Sequence, residues 1–387
     1  MKLAVLKEGA GEPRVAAIPE TVKKLAAKGY DILIEAGAGT RAGIGDDAYE
    51  AAGARIVTRQ DAVTKGDVLL TVMGPDPSEL KGAKKGAVLL GALSPATRGA
   101  EIGGYAGLGL EALAMEWMPR ITRAQSMDIL SSQSNLAGYK AVVDAASLFE
   151  RAFPMMMTAA GTVSPAKVFV MGVGVAGLQA IATAKRMGAQ VSATDVRSAT
   201  KEQIQSLGAK PIFVEAVEGI EGEGAGGYAG ETSEEYKKAQ AELVSDHIGK
   251  QDIVITTALI PGRPAPRLIS DTQLKTMKPG SVIVDLAAEA GGNVEGCVAG
   301  ETVERHGVKI VGAVQLARTL AGDAAALFSR NLANFLLAYT VGSDDESAGD
   351  SPAQDGRLLL PDEDELVAGI RLTKGGEIVH ERLRAMG

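Results

Sequence analysis

The sequence predicts two α/β domains, each a largely parallel sheet flanked by helices. Three observations carry that prediction. Short apolar runs alternate with helix-like stretches along most of the chain, as strands and crossover helices do. A glycine cluster, Gly172, Gly174 and Gly177, follows one apolar run and opens one helix-like stretch. The 387 residues also suggest two domains rather than one. The boundaries read as 1–136 together with 320–387 for a discontinuous first domain, and 137–319 for the second.

In the first domain Lys2–Leu6 reads as a strand and Pro19–Ala27 as a helix with proline in its first turn. Tyr30–Glu35 is a second strand, Ala48–Ala52 a short helix and Ile56–Val57 a short strand. Val68–Val72 is a strand stopped by the breakers Gly74-Pro75, and Val88–Leu90 and Ala112–Ala114 are further strands. No phosphate loop is expected here, because Gly9 and Gly11 lead into Pro13-Arg14 and no helix opens there. Glu116–Ser134 is polar and falls at the domain junction, where ligand clefts form. Leu136–Phe153 reads as a long helix, with Val142, Ala146, Phe149 and Phe153 on one apolar face, carrying the chain into the second domain.

The second domain opens with the buried-strand pattern of Val168–Val170. Gly172, Gly174 and Gly177 follow in the spacing G-x-G-x-x-G. Ala176–Met187 is rich in helix formers, Gly188 ends it, and Gln190–Thr194 is the next strand, with Asp195 at its end. Each part suits a dinucleotide. The first glycine permits a tight turn, the second leaves room for the pyrophosphate, and the third allows close packing of helix on strand. The helix N-terminus offers free N–H groups and a positive dipole end. Asp195, roughly 20 residues on, can accept from a ribose 2′-OH. The strand, glycine turn, helix, second strand and acid in that order make this a Rossmann-type doubly wound domain. A carboxylate at 195 repels a 2′-phosphate, so NAD is favoured over NADP. Arg197 is the counter-signal, read here as flanking the adenine or lying in solvent.

Lys201–Ser206 continues as a helix and Pro211–Val214 as a strand. Gly219–Glu231, rich in glycine around Tyr228, is a lid or a linker. Tyr236–Gly249 is a helix, and Asp252–Ala258, Ser281–Leu286 and Lys309–Val311 complete a doubly wound sheet. Leu320–Tyr339 is a long helix returning to the first domain. Gly342–Gly356 is acidic and loop-like, and Arg357–Leu360 with Glu377–His380 suggest a small hairpin.

Composition bounds the rest. A net charge of −8 with no basic cluster argues against nucleic acid or anionic membrane as a partner. No apolar run approaches the ~18 residues of a membrane span, and no signal peptide opens the chain, so no direct membrane insertion is expected. Cys297 is the one cysteine and has no partner at ligand spacing, so neither disulfide nor metal is expected, and a reducing compartment fits. His247, His306 and His380 read as surface or satisfied side chains, and Met155–Met157 as filling core or interface gaps.

The runs PRITRAQSMDILSSQSNLAGYKAV and AFPMMMTAAGTVSPAKVFVMGVGVAGLQAIATAKRMGA, with AGGYA around Tyr228, TTALIPGRPAP from Thr256 and MKPGSVIVDLAAEAGGN from Met277, resemble the NAD(H)-binding alpha subunit of the proton-translocating NAD(P) transhydrogenases. The resemblance covers nearly the whole chain and matches the form in which this domain is a separate chain. It implies that Arg120, Gln125, Asp128 and Ser131 hold the nicotinamide, and that Tyr228 closes a mobile loop over the nucleotide. The cofactor-binding set taken with it is Gly172, Gly174, Val175, Ala176, Gly177, Asp195, Val196, Arg197, Tyr228, Thr257, Ala258 and Leu259. It also implies a homodimer, docking to an NADP(H)-binding component and a membrane-spanning component, and a cytoplasmic place at the inner face of a bacterial membrane through those partners. Hydride would pass directly from NADH to NADP⁺ held on the partner, coupled to proton translocation elsewhere.

Two rivals remain open. Alanine dehydrogenase shares the architecture, but it must move a substrate proton and hold a carboxylate. That relative uses a lysine in a K-x-K-E-P-like run and a histidine soon after. Met73 stands where that lysine should be, and no histidine precedes His247. Arg14 matches its substrate-carboxylate arginine but cannot run the reaction alone. The second rival is a non-catalytic NAD(H)-sensing module.

Overall fold

The structure, a computed structural model, describes residues 1–214, 234–260, 263–341 and 356–385. Tyr228, the glycine-rich stretch around it and most of the acidic 342–356 stretch lie outside the described residues. The chain divides into two compact units, Met1–Gln133 with Arg318–Gly387, and Ser134–Ala317.

In the first unit, β1 (Lys2–Val5), β2 (Asp31–Glu35), β3 (Arg55–Val57), β4 (Val68–Met73), β5 (Val88–Ala92) and β6 (Glu111–Ala114) form one parallel sheet in the order β3-β2-β1-β4-β5-β6. Alternate residues feed the two faces. Leu3, Val5, Ile34 and Leu70 pack with Phe328, Leu332 and Phe335 of the Ala321–Ala338 helix. Ala4, Leu33, Leu69 and Leu89 pack with Ile102 and Tyr105 on the opposite face.

Helices α1 (Pro19–Ala26) and α2 (Asp46–Glu50) lie close to where the sequence puts them. Helices α3 (Arg59–Lys65) and α4 (Gly99–Gly107) were not expected. Helix α4 reads GAEIGGYAG, a poor helix former by composition. Packing overrides propensity there: Ile102 and Tyr105 are fully buried, and a Cβ at Gly104 would lie 2.5 Å from Pro77.

The junction helix α5 is Ile129–Leu148, which corrects the expected start at Leu136. Its polar first turns, SSQS, look like loop in sequence. Asp128 makes them helical by accepting from the backbone N–H of Ser131 at 2.9 Å and its Oγ at 2.6 Å, the work of an N-cap.

The second unit begins with a two-stranded hairpin, β7 (Met156–Thr158) and β8 (Gly161–Val163). Met155, Met156 and Met157 are exposed there, so in this chain they do not fill its core. The main sheet holds β9 (Lys167–Met171), β10 (Gln190–Thr194), β11 (Lys210–Pro211), β12 (Ile253–Thr256), β13 (Val282–Asp285), β14 (Thr302–Arg305) and β15 (Val308–Gly312). Their order is β11-β10-β9-β12-β13-β15-β14, parallel except for β14 at the edge. This is the Rossmann order with an unexpected antiparallel strand added. β11 is shorter than the expected Pro211–Val214, and the Ile212 N–H, donating to the Ala193 carbonyl at 2.8 Å, continues the bonding to β10 just beyond it. Helices α6 (Val175–Arg186), α7 (Thr200–Ser206) and α8 (Glu234–Ile248) follow β9, β10 and β11.

One face of this sheet buries Val168, Val170, Ile253 and Ile255 with Ala141 and Val142 of α5 and Ile181 of α6. The other buries Phe169, Val254 and Ile283 with Val244 and Ile248 of α8. The C-terminal strands do not form one hairpin. Arg357–Leu358 pairs with Thr340–Val341, and Glu377–Ile378 pairs with Thr373–Lys374.

Candidate functional site

In the second unit β9 lies between β10 and β12, the point at which strand order reverses and where such sheets bind ligands. The chain leaves β9 through Gly172, whose φ of 99° is left-handed and whose Cβ, if present, would lie 2.6 Å from Thr257 Oγ1. Gly177 lets α6 approach so closely that a Cβ there would sit 1.9 Å from the Gly172 carbonyl oxygen. Gly174 differs from both. Its backbone is extended, and nothing lies within 4 Å of where its Cβ would be. The first and third glycines are required by the protein's own packing. The second opens onto space in front of the α6 N-terminus, beside the exposed Val175 and the half-buried Ala176. That cradle fits a pyrophosphate.

A further glycine supports the cradle from behind. A Cβ on Gly138 of α5 would lie 2.1 Å from the Ala176 carbonyl oxygen, so α5 touches the first turn of α6. A lone glycine inside a helical pattern was the available signal for it.

The loop after β12 is tied down by Thr257, which the sequence picks out, and by Asn293 and Asp285, which it does not. Thr257 Oγ1 donates to the Gly172 carbonyl at 3.1 Å. Asn293, fully buried, accepts from Ala258 N–H at 3.0 Å and donates to the carbonyls of Ala258 and Pro266 at 2.9 and 2.8 Å. Asp285 holds Asn293 in turn, accepting its N–H at 2.7 Å and that of Val294 at 3.0 Å. Leu259 is left exposed beyond this clamp.

Asp195 ends β10 as expected, but Arg197 does not lie in solvent. Both side chains are buried, and they form an ion pair. Val196, between them, is half-buried.

In the first unit Thr122–Met127 forms a 3-10 turn. Arg123 clamps it through two 2.9 Å contacts to Asp364, which also accepts from Tyr339 Oη at 2.6 Å. Asn331 and Asn334 of the Ala321–Ala338 helix donate to the Ser126 carbonyl at 2.8 and 3.0 Å. Between these anchors Gln125 is exposed, as is Arg120 before them, while Asp128 and Ser131 bond each other.

Arg14 is fully engaged within its own unit. Its Nε and Nη2 donate to the two carboxylate oxygens of Glu12, both at 2.7 Å, and Nη1 donates to Gln133 Oε1 at 2.7 Å. Arg318 Nε lies 2.9 Å from the same carboxylate. A substrate carboxylate would have to displace Glu12.

Glu8, buried beneath Met73, accepts from Thr71 Oγ1 at 2.8 Å, Val72 N–H at 2.7 Å and Met73 N–H at 3.1 Å. Burial pushes its carboxyl up from 4.5 to about 6, against these donors. Between those values the folded chain keeps a proton that the unfolded chain has released. The stabilisation is therefore complete below pH 4.5 and lost as pH rises through 6. The shift corresponds to about 2 kcal/mol. Urea unfolding of Glu8→Gln and its parent at pH 4.5 and 7 checks this. The stability difference should move in the variant's favour by about that amount as pH rises. A constant difference would mean that Glu8 ionises normally.

Two family descriptions match the chain. "Alanine dehydrogenase/PNT, N-terminal domain" matches residues 4–137 and "Alanine dehydrogenase/PNT, C-terminal domain" residues 141–380. The chain belongs to the alanine dehydrogenase/PNT family. It is 52% identical over 394 residues to an NAD(P) transhydrogenase subunit alpha chain of Rhodospirillum rubrum, covering 100% of both chains. It is 30% identical over 287 residues to an alanine dehydrogenase of Bacillus subtilis, covering 73% of this chain and 69% of that one. A solved transhydrogenase structure from Sinorhizobium meliloti matches with a TM-score of 0.86 at 51% identity, covering 98% of this chain and 100% of that one. Membership of the alanine dehydrogenase/PNT family accords with the Rossmann-like second unit. Among the described residues no helix is long and apolar enough to cross a membrane, and no group of three or more His, Cys, Asp or Glu side chains could hold a metal ion.

Proposed function

We propose that this chain is the NAD(H)-binding alpha subunit of a proton-translocating NAD(P) transhydrogenase. It binds NADH and presents it for direct hydride transfer to NADP⁺ held on a partner component. The observation that carries this over amino-acid oxidation is the state of Arg14. Arg14, which matches the substrate-carboxylate arginine of the alanine dehydrogenases, is bidentate on Glu12, with Gln133 on its third side. Met73 replaces the lysine that amino-acid chemistry needs. Hydride transfer between two nicotinamides needs no acid or base, and such groups are lacking at these positions.

The bound dihydronicotinamide supplies the hydride; this chain's residues bind and orient it. Gly172, Gly174 and Gly177 with the α6 N-terminus, including Val175 and Ala176, hold the pyrophosphate. Asp195 and Val196 meet the adenosine ribose, with Arg197 acting through Asp195. Thr257, Ala258 and Leu259, fixed by Asn293, line the adjacent wall. Arg120, Gln125, Asp128 and Ser131 orient the ring, and Tyr228 closes over the nucleotide. The working form is a homodimer in the cytoplasm, docked at the inner membrane face through its NADP(H)-binding and membrane-spanning partners, where hydride transfer is coupled to proton translocation.

The discriminating experiment uses the pure chain. It should bind NADH, yet neither reduce NAD⁺ with alanine nor reduce NADP⁺ with NADH. Alanine-dependent formation of NADH, followed by absorbance, would replace the transhydrogenase reading with its dehydrogenase rival.

A further inference from the structure

The first unit holds a cavity that nucleotide binding by the second does not use. It opens at the edge where β1, β4, β5 and β6 begin, and its volume is about 310 Å³. Ligand pockets start at roughly that size. Its charged lining converges from the residue before β4, the loop before β5, the start of β6 and the segment around the strand Thr373–Lys374. Leu358 and Leu360 give it an apolar wall.

Every carboxylate at this cavity already has its cation. Asp67 accepts from the Lys2 backbone N–H at 2.7 Å and from Lys84 Nζ at 2.6 Å. Glu111 accepts from Arg371 Nε at 2.7 Å. Asp362, exposed beside the cavity, serves both Arg371 Nη1 and Lys374 Nζ. The cations are not used up in the same way. Lys85 Nζ has no ion pair or hydrogen bond among the described residues, and its stem lies along Gly109, where a Cβ would be 3.4 Å from Lys85 Cγ. Arg371, its side chain 6% exposed, donates through Nε, Nη1 and Nη2 to Glu111, Asp362 and the Leu360 carbonyl. A guanidinium carries five N–H groups, so one is left on each Nη among the described residues. Four cationic side chains thus line the cavity against two carboxylates, in a chain whose net charge is −8.

We propose that this cavity binds a phosphate monoester. Lys85 carries the surplus charge and meets the anion as a point charge. Arg371, pinned from below by Glu111, offers its remaining N–H groups in a fixed plane, the geometry that suits phosphate oxygens. A phosphate monoester brings close to two negative charges, so it answers the surplus better than a single carboxylate does. Leu358 and Leu360 face the carbon side of the ester. A metal ion does not suit the site, because its carboxylates are already paired. The same chemistry is carried by a soluble phosphate ester and by the headgroup of phosphatidic acid.

The parent chain is titrated by calorimetry with glycerol 3-phosphate and with inorganic phosphate, in excess NADH so that the glycine cradle is filled. Sodium chloride at matched ionic strength is the control. Both phosphates should bind and chloride should not. Lys85→Glu should weaken glycerol 3-phosphate about tenfold or more, the loss of a charge-assisted hydrogen bond, and leave NADH affinity unchanged. The Lys85 ammonium bonds nothing in the fold, so the variant should stay folded, and Lys85→Arg should keep the phosphate. Vesicles of phosphatidylcholine with and without phosphatidic acid identify the source. Retention that needs phosphatidic acid and Lys85 assigns a lipid headgroup, and phosphate binding without retention assigns a soluble ester. Failure of both phosphates to bind, an equal response to chloride, or binding that Lys85→Glu leaves unchanged overturns the proposal.

Discussion

Gly174→Ala should leave the chain as stable as its parent and remove most of its affinity for NADH. The added methyl meets no protein atom within 4 Å, and the backbone there is extended, which alanine adopts without strain. What the methyl does fill is the approach to the α6 N-terminus. A loss of at least tenfold in affinity is expected, about 1.4 kcal/mol. Gly177→Ala makes the contrast. Its methyl would lie 1.9 Å from the Gly172 carbonyl oxygen, a backbone atom that can move only with the turn. Overpacking of this kind costs ~1–3 kcal/mol, so this variant should lose stability together with binding. Thermal unfolding and NADH titration of both variants check the pair. Normal NADH binding by Gly174→Ala would mean that the pyrophosphate does not lie over the cradle.

Gln125→Asn should bind NADH almost normally and transfer hydride on the order of 10²-fold more slowly, the effect of displacing a reacting ring by about 1 Å. The substitution draws the amide back by one methylene on an exposed side chain. The turn that carries it is held from elsewhere, by Arg123 on Asp364 and by Asn331 and Asn334 on the Ser126 carbonyl. The fold should therefore not register the change. Most NADH affinity should come from the glycine cradle and the ribose corner, so binding should hardly register it either. Ring geometry should, because an amide can bridge a carboxamide or ribose as donor and acceptor at once. Stopped-flow transfer to an NADP⁺ analogue with the partner component present, beside an NADH titration, checks this. A normal rate would remove Gln125 from the ring contacts.

The alternation of apolar runs made both sheets legible in the sequence, and the Rossmann motif gave Gly172, Gly174, Gly177 and Asp195 their places. These features depend on local pattern. What stayed hidden depends on partners distant in sequence. Helix α4 is glycine-rich and forms only because Ile102, Tyr105 and the face at Gly104 pack against neighbours. The α5 start moved to Ile129 because Asp128 spends its carboxylate on a cap. The solvent alternative for Arg197 fails because its buried ion pair with Asp195, two residues away, leaves no mark in the local pattern. Asn293 lies 35 residues from the Ala258 loop it fixes, and no spacing rule announces such a clamp. Tyr228 lies outside the described residues.

A chain that presents NADH for direct transfer, and contributes no acid or base of its own, must pass the ring hydrogen to NADP⁺ without exchange with solvent. Single-turnover reaction of NADH, deuterated at the transferring position of the nicotinamide ring, with NADP⁺ tests it most directly when the NADP(H)-binding partner is added to the chain. The deuterium should appear in NADPH with the partner present, and no transfer should occur without it. Label lost to solvent, or no transfer in the complete mixture, would contradict it.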